Sequence, residues 1–243
     1  MKQLIKLATA IIPNNGGELT LYRRENEFSI RLSGLRGELM NSRMHNSEEE
    51  LAKLGCAHIK NNANAHVLVG GLGMGFTLAA ALNTVSNTAV VTVAELIPEV
   101  VEWNQGALGE CASKPLSDSR TRIRVGDIAE LIKLERPDFD AILLDVDNGP
   151  EGITHSNNNW LYSADGLAAL RNTLRPEGML AIWSAGADSM FCIQLKKAGF
   201  SVEVRTIRAR AGKGSRHTIF LAKKASRSLK HHCVRAASVL HRY

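Results

Sequence analysis

The feature that most constrains this chain is His66-Val67-Leu68-Val69-Gly70-Gly71-Leu72-Gly73-Met74-Gly75-Phe76, where an apolar run breaks into four glycines within six positions and then enters an apolar helical segment. The apolar run reads as the first strand of a parallel sheet, buried on both faces. Glycine lets the backbone turn sharply after such a strand and approach a ligand where any Cβ would collide. Thr77 to Leu82 then begin a helix, whose free N–H groups face whatever the turn holds. Counting from Gly71 and Gly73 puts Phe76 where the third glycine of G-x-G-x-x-G belongs, so the tight helix packing of a dinucleotide site is not expected.

The spacing that is present, G-x-G-x-G, resembles the first motif of the S-adenosylmethionine fold, and the residues that follow keep the order such a site needs. Ala89 to Ala94 form a β-branched second strand closed by Glu95, placed to accept hydrogen bonds from ribose hydroxyls. Arg122 to Val125 form a third strand, and Asp127 after it either accepts from an adenine amino group or caps the helix Ile128 to Leu134. Phe139 to Leu144 form a fourth, whose carboxyl end delivers Asp145-Val146-Asp147-Asn148-Gly149-Pro150 to the crevice where open α/β sheets bind ligands. The polar loop from Glu151 to Asn159, followed by Trp160 and Tyr162, has the length of a lid. A helix starting at Ser163 and stopped by Pro176-Glu177-Gly178, a fifth strand Met179 to Trp183, a helix Met190 to Ala198 and a terminal hairpin (Ser201 to Ile207 and Arg216 to Leu221) complete the pattern. Strand and helix alternating five times imply an α/β, doubly wound seven-stranded Rossmann-like sheet with its last strand antiparallel.

Before the glycine turn, Gly17 to Ser33 alternates as two antiparallel strands about Arg23-Arg24-Glu25-Asn26, giving residues 1–46 as a small N-terminal β element. Ser47-Glu48-Glu49-Glu50 has the form of a capping box, and its acids are either dipole-favoured first-turn carboxylates or contacts for a cationic substrate. At 243 residues and 44% hydrophobic content, one catalytic domain (47–222) plus an appendage (223–243) is the natural count. The opening MKQLIKLATAII makes a poor signal peptide, because Lys6 interrupts it, and no apolar run reaches spanning length, so a cytoplasmic protein without a membrane contact is expected. Cys56, Cys111, Cys192 and Cys233 form no C-x-x-C pair and read as reduced, mostly core residues; no metal is called for. The formal charge of +6 is matched by six cations after residue 222, and a solvated basic tail accounts for it better than a nucleic-acid site.

Together VLVGGLGMGF, the acid of VTVAELIPEVVEWN, RIRVGD, LLDVDNGP and LYSADGLAALRNTLRPEGMLAIWSA resemble the spermidine synthases, or polyamine aminopropyltransferases, and more closely their shorter, divergent bacterial relatives. The resemblance runs from about Gly17 to Lys223. It implies the S-adenosylmethionine-dependent methyltransferase fold and transfer of an aminopropyl group from decarboxylated S-adenosylmethionine to a polyamine acceptor. By it, Gly70, Gly71, Gly73 and Gly75 border the methionine-derived part of the cofactor, Glu95 the ribose, and Asp127 with Ile128 the adenine. Asp147 is then the base and Asp145 the orienting acid, with Asn148, His45, Glu49 and Tyr162 toward the acceptor. A homodimer is also in keeping with it. The glycine turn carries no aspartate, and the second motif reads D-x-D-N where the family has D-x-x-D-P. A methyltransferase using S-adenosylmethionine, or a non-catalytic nucleotide-binding relative, therefore stand beside aminopropyl transfer.

Overall fold

The computed structural model describes residues 3–146, 158–210 and 213–225. Among them lie two sheets. The small one is antiparallel, in the order β1 (Ile5–Ile11), β2 (Glu18–Arg24), β3 (Glu27–Leu32) and β4 (Met40–Asn41). The large one has seven strands: β5 (His66–Gly70), β6 (Val90–Glu95), β7 (Thr121–Val125), β8 (Phe139–Leu144), β9 (Leu174–Ser184), β10 (Phe200–Arg210) and β11 (Lys213–Lys224), ordered β10-β11-β9-β8-β5-β6-β7. Strands β5 to β9 run parallel, while β11 is antiparallel to both of its neighbours. The expected doubly wound, seven-stranded α/β architecture is present.

Among the described residues, seven α-helices connect the strands: α1 (Asn46–Cys56), α2 (Phe76–Thr84), α3 (Pro98–Gln105), α4 (Ile128–Ile132), α5 (Asn158–Leu161), α6 (Ala164–Thr173) and α7 (Ser189–Lys197). Alternation along each central strand divides the core into two layers. Val67, Val69, Val91, Val93 and Leu143 pack toward α1, α2, α3 and the small sheet, whereas Leu68, Ile142, Leu144, Leu180 and Phe220 pack toward the helices from α4 to α7. Both faces are covered, which is why the strands read as continuous apolar runs rather than alternating ones. No helix among the described residues is long and apolar enough to cross a membrane.

Sheet order reverses between β5 and β8. From β5 the chain winds outward through β6 and β7, then returns to the other side of β5 with β8 and β9. At this reversal the loops after β5 and β8 diverge and leave a crevice at their carboxyl ends. Gly71 has φ +84° there, and a Cβ on it would stand 2.6 Å from the backbone oxygen of Asp145.

Several local expectations are corrected. The N-terminal element holds four strands rather than two, because β1, read as a failed leader, pairs with β2 from Ile5↔Arg23 to Ile11↔Glu18. As an edge strand it leaves Ile5, Leu7 and Ile11 exposed, so its large apolar residues do not mark a buried face. The capping box is not made: His45 is the N-cap and its side chain makes no capping bond to the helix amides, and Ser47 lies inside α1 with Oγ 2.8 Å from His217 Nδ1. Helix α6 stops at Thr173, short of Pro176, and β9 already begins at Leu174. The pairing shifts from Phe139↔Leu174 to Ala141↔Met179, so the proline sits in an irregularity where its missing N–H breaks no ladder bond. The hairpin also runs farther than its apolar cores, to Arg210 on β10 and from Lys213 on β11.

Substituting Gly71→Ala combines a left-handed backbone with a collision against main chain. It should destabilise the fold by about 2 kcal/mol or more, read as a lowered denaturant midpoint at unchanged slope.

Candidate functional site

Two adjoining cavities occupy the crevice. The inner one, of about 130 Å³, takes its floor from the ends of four parallel strands: Gly71 and Gly73 after β5, Glu95 of β6, Gly126 and Asp127 after β7, and Asp145 and Val146 after β8. Ile12, Leu19, Ile30, Leu39 and Met40 of the small sheet roof it, and Ile97, Val100 and Ile128 complete apolar walls. A cavity with largely apolar walls that also carries the carboxylates of Glu95, Asp127 and Asp145 suits an apolar, hydrogen-bonding ring system.

Glu95 is held from both sides. The Leu72 N–H donates to its Oε2 and the Ile97 N–H to its Oε1, each at 2.9 Å, which ties the glycine turn to the loop after β6. Burial raises its pKa, and the backbone amides oppose that rise by stabilising the charge. Asp127 caps α4, accepting from the Ala129 N–H at Oδ1 over 2.8 Å. The two readings of Asp127 are therefore compatible, since capping uses one of its oxygens and the residue still lines the cavity.

The outer cavity, about 260 Å³, shares Leu39, Met40, Gly73 and Asp145 with the inner one and adds Glu38, Glu48, Ser47, Trp183, Ser215 and His217. Thr77 of α2 donates to Asp145 Oδ2 at 2.5 Å. Burial pushes the Asp145 carboxyl up to about 6, with the Thr77 hydrogen bond acting the other way. Glu48 is raised further, first by burial, then by the charges of Asp145 and Glu49. Its Oε2 and the indole Nε1 of Trp183 are enclosed and without a hydrogen-bond partner among the described residues. Each of these buried carboxyls thus holds its proton more tightly than a free one, and the charge of Asp145 adds to the effect of burial at Glu48. Burial also keeps His217 neutral, with a ring nitrogen on each of Ser47 and Ser215. Neither cavity has a lysine or arginine among its described lining residues.

The sequence-derived residues divide accordingly. Gly71, Gly73, Glu95, Asp127, Ile128 and Asp145 meet at the crevice. Gly70 and Gly75 shape the turn from inside: a Cβ on Gly70 would strike Ile128 at 2.5 Å, and Gly75 is the left-handed N-cap of α2 against Asn104. His45 and Glu49 lie elsewhere. They bond each other at 2.7 Å and line a separate cavity behind Phe76, on which His45 stacks at 4.4 Å. Tyr162 is buried in the layer below, edge-on to Phe191, with its hydroxyl 3.5 Å from the Val146 carbonyl. Asp147, Asn148 and the loop through residue 157 lie outside the described residues. Sequence reasoning missed Thr77 and chose Glu49 over Glu48; Trp183 was seen only as a strand residue.

No family model matches the chain. A stretch of 115 residues, 47% of the chain, is 30% identical to the polyamine aminopropyltransferase of Sulfolobus acidocaldarius and spans 37% of that protein. Among solved structures, spermidine synthase from Thermotoga maritima and a spermidine synthase in complex with the transition state analogue AdoDATO each superpose with a TM-score of 0.68 at 16% identity, covering 90% of this chain and 72% of theirs. The resemblance drawn from the motifs is thereby supported by both sequence and architecture, and the fold is that of these enzymes.

Because Glu48 and Asp145 hold their protons more tightly folded than unfolded, the stability they contribute is present in acid. It is lost as the pH rises above the ordinary carboxylate range, through about 6 for Asp145, and Glu48 shifts in the same direction. Glu48→Gln should therefore raise the melting temperature at pH 8 and flatten its decline above pH 4. Melting curves between pH 4 and 8 test this, with Glu50→Gln as control; an unchanged slope would refute the coupling of the two buried carboxyls.

Proposed function

We propose that this protein transfers an aminopropyl group from decarboxylated S-adenosylmethionine to a polyamine acceptor. The observation that carries the reading is the acidic lining of the two cavities, which has no lysine or arginine among its described residues. A methyl donor keeps its carboxylate and calls for a neighbouring cation, whereas the decarboxylated compound presents an ammonium there. The relative from Sulfolobus acidocaldarius and the spermidine synthases of the same architecture support it.

In this reading the inner cavity takes the adenosyl group. Glu95 accepts from the ribose hydroxyls with lone pairs that its two amide bonds leave unused, and Asp127 accepts from the adenine amino group opposite its capping oxygen. Gly71 and Gly73 permit close approach of the sulfonium arm, and Ile128 and the small sheet exclude water from the ring. The outer cavity takes the acceptor. Glu48 and Asp145, rather than His45 and Glu49, face its ammonium groups, with Glu38 at the rim. The organisation into 1–46, 47–222 and 223–243 fits this reading, the first segment serving as roof.

An alkylammonium has an ordinary pKa near 10.4 and arrives protonated, so a carboxylate must take its proton before it can attack. Asp147 is assigned that role. Asp145, whose raised pKa near 6 and bond from Thr77 fix its orientation, aligns the amine. As nitrogen bonds to the propyl carbon attached to sulfur, that carbon–sulfur bond breaks and its electron pair stays on sulfur, giving a neutral thioether leaving group that needs no acid. The residues' remaining task is in-line alignment and exclusion of water.

Parallel calorimetric titrations with S-adenosylmethionine, its decarboxylated form and methylthioadenosine test the assignment. The decarboxylated form should bind about tenfold or more tighter than S-adenosylmethionine, and the reverse order would indicate a methyl donor. Asp147→Asn should leave that affinity within a few fold and abolish turnover. Comparable losses in both, or in neither, would reject Asp147 as base.

A further inference from the structure

Charge in this chain is divided more sharply than a basic tail accounts for. After Glu203 there are eleven of the thirty lysines and arginines and none of the 24 acids, which leaves the first 203 residues at a net −5. Seven of these cations belong to the β10–β11 ribbon, and five of the seven, Arg205, Arg208, Arg210, Lys213 and Arg216, lie toward its hairpin end. Its upper part has no strand neighbour other than itself. The pairing of β11 with β9 ends at Thr218↔Ser184, so residues 213–217 and their β10 partners project past the carboxyl edge of the sheet.

On that projection the cations face each other. Arg208 stands directly across from Arg216, and Arg210 from Lys213. Like charges in directly opposed cross-strand positions destabilise a ribbon. All four side chains are exposed, and among the described residues none makes an ion pair. Of the five, Arg205 alone is neutralised, by Glu203. Two like-charge pairs at the end of a hairpin are unfavourable for folding by themselves and become favourable only against an external anion.

We propose that this ribbon is a docking surface for the phosphodiester backbone of a nucleic acid, bound without regard to sequence. Three of the four cations are arginines, whose planar guanidinium engages phosphate oxygens in pairs. A two-stranded ribbon has dimensions that a nucleic-acid groove admits. An anionic membrane fits less well, because the exposed tip positions Arg208, Arg210, Lys213, Gly214, Ser215 and Arg216 offer no apolar side chain to insert. By β-strand alternation Arg216 points to the opposite face from Ser215 and His217, which line the outer cavity, so the surface is separate from the crevice. The inference stands independently of the reaction proposed above.

Fluorescence anisotropy of the full chain with a labelled 20-base-pair duplex, and with an RNA hairpin of similar length, measured between about 50 and 200 mM salt, tests it. Binding should weaken steeply with salt. Arg208→Gln with Arg216→Gln should cost about tenfold or more in affinity and lower the log–log salt slope by about 2, while methylthioadenosine affinity stays unchanged. A second full-length variant, with Arg227, Lys230, Arg235 and Arg242 replaced by Gln, should retain that sensitivity to the ribbon pair. The proposal is overturned if the ribbon variant binds like the parent while the tail variant does not, if neither nucleic acid binds, or if phosphatidylserine vesicles are bound and nucleic acids are not.

Discussion

One parallel contact, between β5 and β8 at the point where the sheet reverses direction, governs everything above it. The Asp145 N–H donates to the Gly70 carbonyl at 2.9 Å, which brings the end of β8 against the glycine turn, and only a residue without a Cβ fits at Gly71. From that contact the two loops part. Glu95 then holds the turn open from the other side through the Leu72 amide. The crevice is thus fixed by main-chain geometry, and side chains only line it.

What lines it gains its character from being covered. The small sheet lays Ile12, Leu19, Ile30 and Met40 over the strand ends, and this roof removes water from carboxylates that would otherwise be ordinary. Burial is the leading cause of the raised pKa at Glu48, Glu95 and Asp145 alike, and each meets it differently. Glu95 spends both oxygens on backbone amides. Asp145 has a threonine hydroxyl, and Glu48 keeps an enclosed oxygen with no partner among the described residues. Such an arrangement favours a cationic guest, because an ammonium restores the solvation that folding took away.

The fold was legible because the evidence for it is repetitive. Strands buried on both faces give continuous apolar runs, and Phe139–Leu144 was placed residue for residue. The helix start at Ser163 was equally plain, and its side chain accepts from the Gly166 N–H; the cap at Asp188, which accepts from the Phe191 N–H, was not read, and that helix begins at Ser189 rather than Met190. Where an element buries only small side chains, the reading failed. Strand β1 is an edge that turns Ala8 and Ala10 to the core and leaves its large apolar residues Ile5, Leu7 and Ile11 exposed. The site was legible where a single residue ends a strand, as at Glu95, Asp127 and Asp145. It was not where three acids follow one another in α1. Successive helical positions differ by about 100°, so Glu48, Glu49 and Glu50 point three ways, and only packing decides which one meets Asp145.

By itself, then, the sequence determined the alternating α/β winding, the glycine turn and the order of acids along the strand ends, all of which are local or periodic properties of the chain. Tertiary structure decided that Glu48 rather than Glu49 enters the crevice, that Thr77 supports Asp145, that Trp183 and His217 wall the outer cavity, and that four cations oppose one another on a projecting ribbon. Those facts join residues as far apart as Ser47 and His217, which no spacing along the chain encodes. They arise only when the helix face, the strand register and the covering sheet are set together.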